Sequence, residues 1–111
     1  MFNPYEDTLV IHMVRDNVSG GYLESSQYWK LDKIVPRSQA ILYQAIRSAN
    51  ALRNKAGKQK KKRVDYLFRV INGQALANSN GLSDDDKKAL NDWDQRKNLP
   101  NLGYEVVTIS I

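Results

Sequence analysis

Cysteine is absent from this sequence of 111 residues. That excludes disulfides, cysteine nucleophiles and thiolate metal sites, and it fits a reducing compartment. Histidine is nearly absent, since His12 stands alone. Chemistry that needs two imidazoles, such as two-histidine phosphoester cleavage or a histidine-rich metal site, is closed to the chain. Long apolar runs are missing too. The longest, "TLVIHMV" and "VVTISI", fall far short of the ~20 residues that span a bilayer. The opening "MFNPYEDTLV" has no basic region followed by an apolar run, so no secretory signal is expected. The expectation is a soluble, cytoplasmic protein with no membrane contact.

Acid is missing only locally. Residues 55–63, "KAGKQKKKR", carry six cations and no acid. Residues 1–54 carry six cations against five acids, and residues 64–111 carry five against seven. The net charge of +5 therefore arises in one nine-residue segment of an otherwise near-neutral chain.

What is present is globular in character. The hydrophobic fraction of 41% suits a single domain over 1–111 that buries its own core. "TLVIHMVRD" is rich in β-branched residues and apolar on both faces, which predicts an interior strand over 8–15. "DNVSGG" supplies turn residues. "YLESSQYWKLDKI" then reads as a second strand, with Gln27, Trp29 and Leu31 on one face and Tyr28, Lys30 and Asp32 on the other.

"VPRSQAILYQAIRSANALRNKAG" predicts a helix from Pro36, with an apolar stripe through Ile41, Leu42, Ala45, Ile46, Ala49 and Leu52 and a stop at Gly57. The basic segment then reads as a loop over 55–63. The alternation of Val64, Tyr66, Phe68 and Val70 predicts a third strand. "NGQALANSNG" reads as a loop or a brief helical turn. "LSDDDKKALNDWDQRK" predicts a helix capped by Ser83, with three aspartates at its positive end and Leu90 and Trp93 as anchors. "YEVVTISI" predicts a final strand. The order β-β-α-β-α-β implies an α+β fold: a four-stranded mixed or antiparallel sheet with two helices on one face.

Catalytic and metal sites find little support. His12 lies in an apolar strand with no sequence-local partner. Capping accounts for Asp84, Asp85 and Asp86, and the calcium-loop pattern is absent. "NKAGKQ" lacks the first glycine and the Ser or Thr of a phosphate loop. No catalytic residue, metal ligand or cofactor is therefore assigned, and the expectation is a protein that is not an enzyme.

The basic segment carries the functional expectation. Adjacent cations release condensed counterions when they meet a nucleic-acid backbone, and this needs little special geometry. The expected contacts are Lys55, Lys58, Lys60, Lys61, Lys62 and Arg63, supported by Arg47, Arg53 and Arg69. Tyr66 and Phe68 share a row with two valines and read as core, whereas Tyr28 and Lys30, with Tyr22 nearby, read as exposed surface. The expected partner is nucleic acid, DNA or RNA, bound largely without regard to sequence. The alternative is a protein-interaction module or small inhibitor that docks on an acidic surface of a larger partner, where the same cations would steer association. Sheet edges also offer a route to a homodimer.

Overall fold

β-Branched residues and a four-residue turn build the first hairpin. The computed structural model describes residues 10–74 and 83–110. β1 (Val10–Asp16) and β2 (Gly21–Leu23) pair antiparallel through Arg15 with Tyr22 and Asp16 with Gly21. Asp16 organises the turn between them. Its carboxylate accepts from the Val18 N–H at 3.0 Å and the Ser19 hydroxyl at 2.9 Å. Gly20, at φ 85°, takes the left-handed position that closes the turn. β3 (Ile34–Val35) adds to β2, and β4 (Tyr104–Ser110) pairs along all of β1. The sheet is antiparallel throughout, in the order β3-β2-β1-β4. β1 is thus interior, as its two apolar faces imply.

Two helices complete an α+β fold. α1 (Ile46–Gln74) has 29 residues, a length of about 44 Å at the usual rise. α2 (Asp84–Arg96) packs against it. The core lies between the sheet and the first half of α1. Val14, Leu23 and Tyr104 from the strands, with Leu31, meet Ala49, Leu52 and Ala56 of α1. The alanines let the helix lie close to the sheet, and each buried leucine contributes about 2 kcal/mol. The start of α2 follows its sequence signature. The Ser83 hydroxyl accepts from the Asp86 N–H at 3.1 Å while the Asp86 carboxylate accepts from the Ser83 N–H at 3.4 Å, a reciprocal cap.

The central part of the chain departs from the sequence reading. The observed order is β-β-β-α-α-β. The expected loop over 55–63 and the expected strand that follows it are both inside α1. The helical period prevails over the alternation. Val64 and Leu67, three residues apart, are each 3% exposed, while Tyr66 and Phe68 are 60% and 47% exposed. Residues two apart in a strand share a face, but residues two apart in a helix point about 160° away from each other. The core assignment of Tyr66 and Phe68 is accordingly corrected.

Gly57 does not end the helix: it lies inside α1 and does not take the left-handed conformation that a glycine stop requires. At the other end, α1 begins ten residues later than Pro36. Residues 40–43 run extended because the sheet claims them. The Ile41 N–H donates to the Leu23 carbonyl at 3.0 Å, and Tyr43 and His12 exchange both backbone hydrogen bonds at 2.7 and 2.9 Å. The long second strand is divided into β2, a 3-10 turn at Tyr28–Lys30 and β3. Of the loop expected over 72–81, the first three residues belong to α1 and the rest lie outside the described residues, as do positions 8, 9 and 111 of the expected strands. Among the described residues, no helix is long and apolar enough to cross a membrane.

Candidate nucleic-acid interface

Coiling the basic segment into a helix sorts its cations by azimuth. One face continues the core stripe and carries Gln59, Lys60 and Arg63. Asp32, just past the Tyr28–Lys30 turn, collects all three. Lys60 Nζ donates to it at 2.6 Å, Gln59 Nε2 donates at 3.3 Å, and Arg63 Nη1 lies 3.6 Å away. Lys60 Nζ also lies 3.7 Å from Asp92 of α2. Burial alone would raise the Asp32 carboxyl, but Lys60, Gln59 and Arg63 outweigh it and hold the group below the ordinary carboxylate range. Lys60 and Arg63, two of the nine expected contacts, are thus engaged within the protein.

The chain of alternating charge continues inward. Asp92 accepts from Arg96 Nε at 2.8 Å. Arg96 forks onto Asp16, with Nη1 to Oδ1 at 2.8 Å and Nη2 to Oδ2 at 2.6 Å. Nη1 also donates to the Leu102 carbonyl at 3.2 Å, and the guanidinium lies 4.8 Å from the centre of the Tyr104 ring. Arg96 is 3% exposed and Asp16 1%. Burial pushes Asp16 up, but the Arg96 fork, Ser19 and the Val18 N–H more than reverse this and hold it low. Burial likewise works against the Arg96 charge, and Asp16 and Asp92 overcome it, so the guanidinium holds its proton more firmly than usual. The Tyr104 phenol is pushed up by its burial despite the nearby Arg96 charge. This buried pair ties the first hairpin to the end of α2. In the sequence, Arg96 stands near the end of the second expected helix and Asp16 opens the first turn. No local signal links two residues 80 positions apart.

The cleft between the helices, about 380 Å³, is lined by Asp32, Asp85 and Asp92 and by Lys60, Arg63 and Lys88. Its charges balance, so it exerts little net pull on an anion.

The outer face of α1 is different. Lys58, Lys61 and Lys62 are exposed and make no ion pair among the described residues. Lys55, at the margin, donates to the Ser26 carbonyl, a neutral partner that leaves its charge uncompensated. Arg47 and Arg69 are exposed on the same side. At 3.6 residues per turn, Arg47, Lys58, Lys62 and Arg69 fall within about 60° of one another. Arg53 stands apart. It is half-buried, and both Nε and Nη2 donate to the Asn54 side-chain Oδ1 at 3.3 Å. Asp65 is the one acid on this face among the described residues of α1.

The structure therefore brings Lys55, Lys58, Lys61, Lys62, Arg47 and Arg69 to one surface and separates Lys60 and Arg63 from them. His12 pairs across the sheet, where its Nδ1 and the Thr108 hydroxyl are 2.7 Å apart. Comparison of the chain with protein-family models, with curated proteins and with solved structures finds no match in any of the three.

Proposed function

We propose that this protein binds nucleic acid through its phosphates, largely without regard to base sequence, along the outer face of α1. The observation that carries this reading is the sorting of the basic segment. Lys60 and Arg63 are neutralised internally, while Lys58, Lys61 and Lys62 stand exposed with no acid bound to them among the described residues. A helix holds these cations in fixed order, which lowers the ordering cost of binding relative to a loose loop.

The test is a titration of labelled DNA and RNA at several salt concentrations. Three lysines on three phosphates predict a log–log salt slope of about −3 on duplex DNA and about −2 on a single strand. Replacing Lys58, Lys61 and Lys62 with alanine should abolish most of that slope while the far-UV spectrum stays unchanged. Absence of binding at low salt refutes the reading. The same cations would attract a carboxylate-rich protein face, and a nuclease-resistant complex with a defined protein would favour that alternative.

A further inference from the structure

The cationic face has an aromatic border that the fold does not use. Trp29 is 74% exposed and Tyr28 48% exposed, both on the 3-10 turn Tyr28–Lys30. The turn is well held. Leu31, immediately after it, is fully buried in the core. Lys30 N–H donates to the Gln27 carbonyl at 2.9 Å, and Lys33 N–H to the Lys30 carbonyl at 3.1 Å. Lys55 reaches across from α1 to the Ser26 carbonyl and ties the turn to the helix. The backbone that carries the two rings is thus held in place. The sole cation–π contact among the described residues, Arg96 on Tyr104, does not involve them.

Tyr28 also forms one wall of a groove of about 460 Å³, whose other wall carries Lys55, Lys58 and Lys62 of α1. Ala51 and Asn54 line it as well. Ala51 is exposed, and its small side chain leaves the groove open where a longer residue would fill it. Lys58 and Lys62 are one helical turn apart, about 6 Å along the axis, a spacing comparable with the step between successive phosphates of an extended strand.

We infer that the bound nucleic acid is single-stranded, with bases stacking on Tyr28 and Trp29 while its phosphates follow Lys55, Lys58 and Lys62. The inference rests on the phosphate-binding reading and narrows it. Rings beside cations are what a single strand needs, since every base offers a π-face and the backbone offers the charge. A duplex keeps its bases stacked inside and presents only phosphate at this distance. The groove would then contribute affinity to single strands and none to duplexes, whereas the lysines would contribute to both.

The experiment measures fluorescence anisotropy of a labelled single strand and of a hairpin duplex of matched composition. It uses the full chain, its Tyr28→Ala/Trp29→Ala variant, and Ala51→Leu, which fills the groove on an exposed helical position without removing charge. The single strand should bind at least tenfold more tightly than the duplex. The aromatic double variant should lose on the order of tenfold or more on the single strand, with duplex affinity and salt slope unchanged, and Ala51→Leu should lose in the same direction. Trp29→Phe keeps a stacking ring, so its affinity should hold while the tryptophan quenching caused by the single strand disappears.

Equal single-strand affinity of the double variant and the parent, with binding still dependent on Lys58, Lys61 and Lys62, overturns the inference and leaves phosphate binding standing. Loss of single-strand and duplex binding alike on removing the rings also overturns it. No binding of either probe at low salt removes both proposals.

Discussion

Replacing Gly57 with alanine tests the premise on which the proposed interface depends, that α1 runs unbroken through the basic segment. Glycine in a helix interior costs about 1 kcal/mol relative to alanine, because it gives up more backbone freedom on folding. An added Cβ at this position would meet only Leu102 Cδ1, at 3.7 Å, an ordinary van der Waals contact. Part of a methyl group would be buried there, which adds a few tenths of a kcal/mol. Gly57→Ala should therefore stabilise the protein by about 1 to 1.5 kcal/mol. In a domain near this size each kcal/mol moves the midpoint by roughly 4 °C or more.

Thermal and urea unfolding followed at 222 nm would read the effect. The urea midpoint should rise by roughly half a molar with the slope unchanged. The competing possibility is the one suggested by local sequence, a helix that stops at Gly57 in a left-handed conformation. Alanine would then be strained by about 1–2 kcal/mol and the midpoint would fall. A fall would refute the continuous helix, and the fixed arrangement of Lys58, Lys61 and Lys62 would go with it.

The buried charge pair makes a prediction about acid. Asp16 is held below its ordinary value of 3.8, so the folded state binds this proton less readily than the unfolded chain. Its stabilising contribution is complete above the ordinary value and is lost as pH falls through the lower folded one. Unfolding free energy measured between pH 6 and pH 2 should drop mainly below about pH 4, and Asp16→Asn should flatten that dependence. Arg96→Leu leaves the Asp16 carboxylate buried without its partner and should cost about 3–5 kcal/mol in urea unfolding; a cost under 1 kcal/mol would show that the pair is unimportant. Lys60→Ala/Arg63→Ala should lower the unfolding midpoint slightly, since partly exposed ion pairs contribute about 1 kcal/mol or less, while leaving the salt slope of nucleic-acid binding unchanged. Asp65→Asn removes the acid from the cationic face and should tighten binding about twofold at low salt, the effect of one solvated charge at roughly 8 Å, with the gain vanishing at high salt.

Where the sequence was legible, it was legible for local reasons. The turn at residues 17–20, the reciprocal cap at Ser83 and the interior character of β1 rest on residues within a few positions of one another. The stretch from Val64 to Val70 is ambiguous in sequence because it satisfies two periods at once. Its alternating apolar residues suit a strand, yet Ala49, Leu52, Ala56, Val64 and Leu67 also continue one helical stripe across the lysines. The charged residues between them hide that stripe. The start of α1 differs from its sequence pattern for the opposite reason. Residues 40–43 have a helical pattern, but β1 and β2 supply hydrogen-bond partners that only an extended backbone can reach.

The sequence by itself determined the class of fold and the place of the excess charge, because composition, capping and periodicity act between neighbours. Only the tertiary structure decided which cations remain available. Asp32 meets Lys60 from 28 positions away and Asp16 meets Arg96 from 80. Such pairs depend on the path of the whole chain, which brings two of the basic residues onto acids and leaves most of the others facing outward, Lys55, Lys58 and Lys62 across a groove from Tyr28.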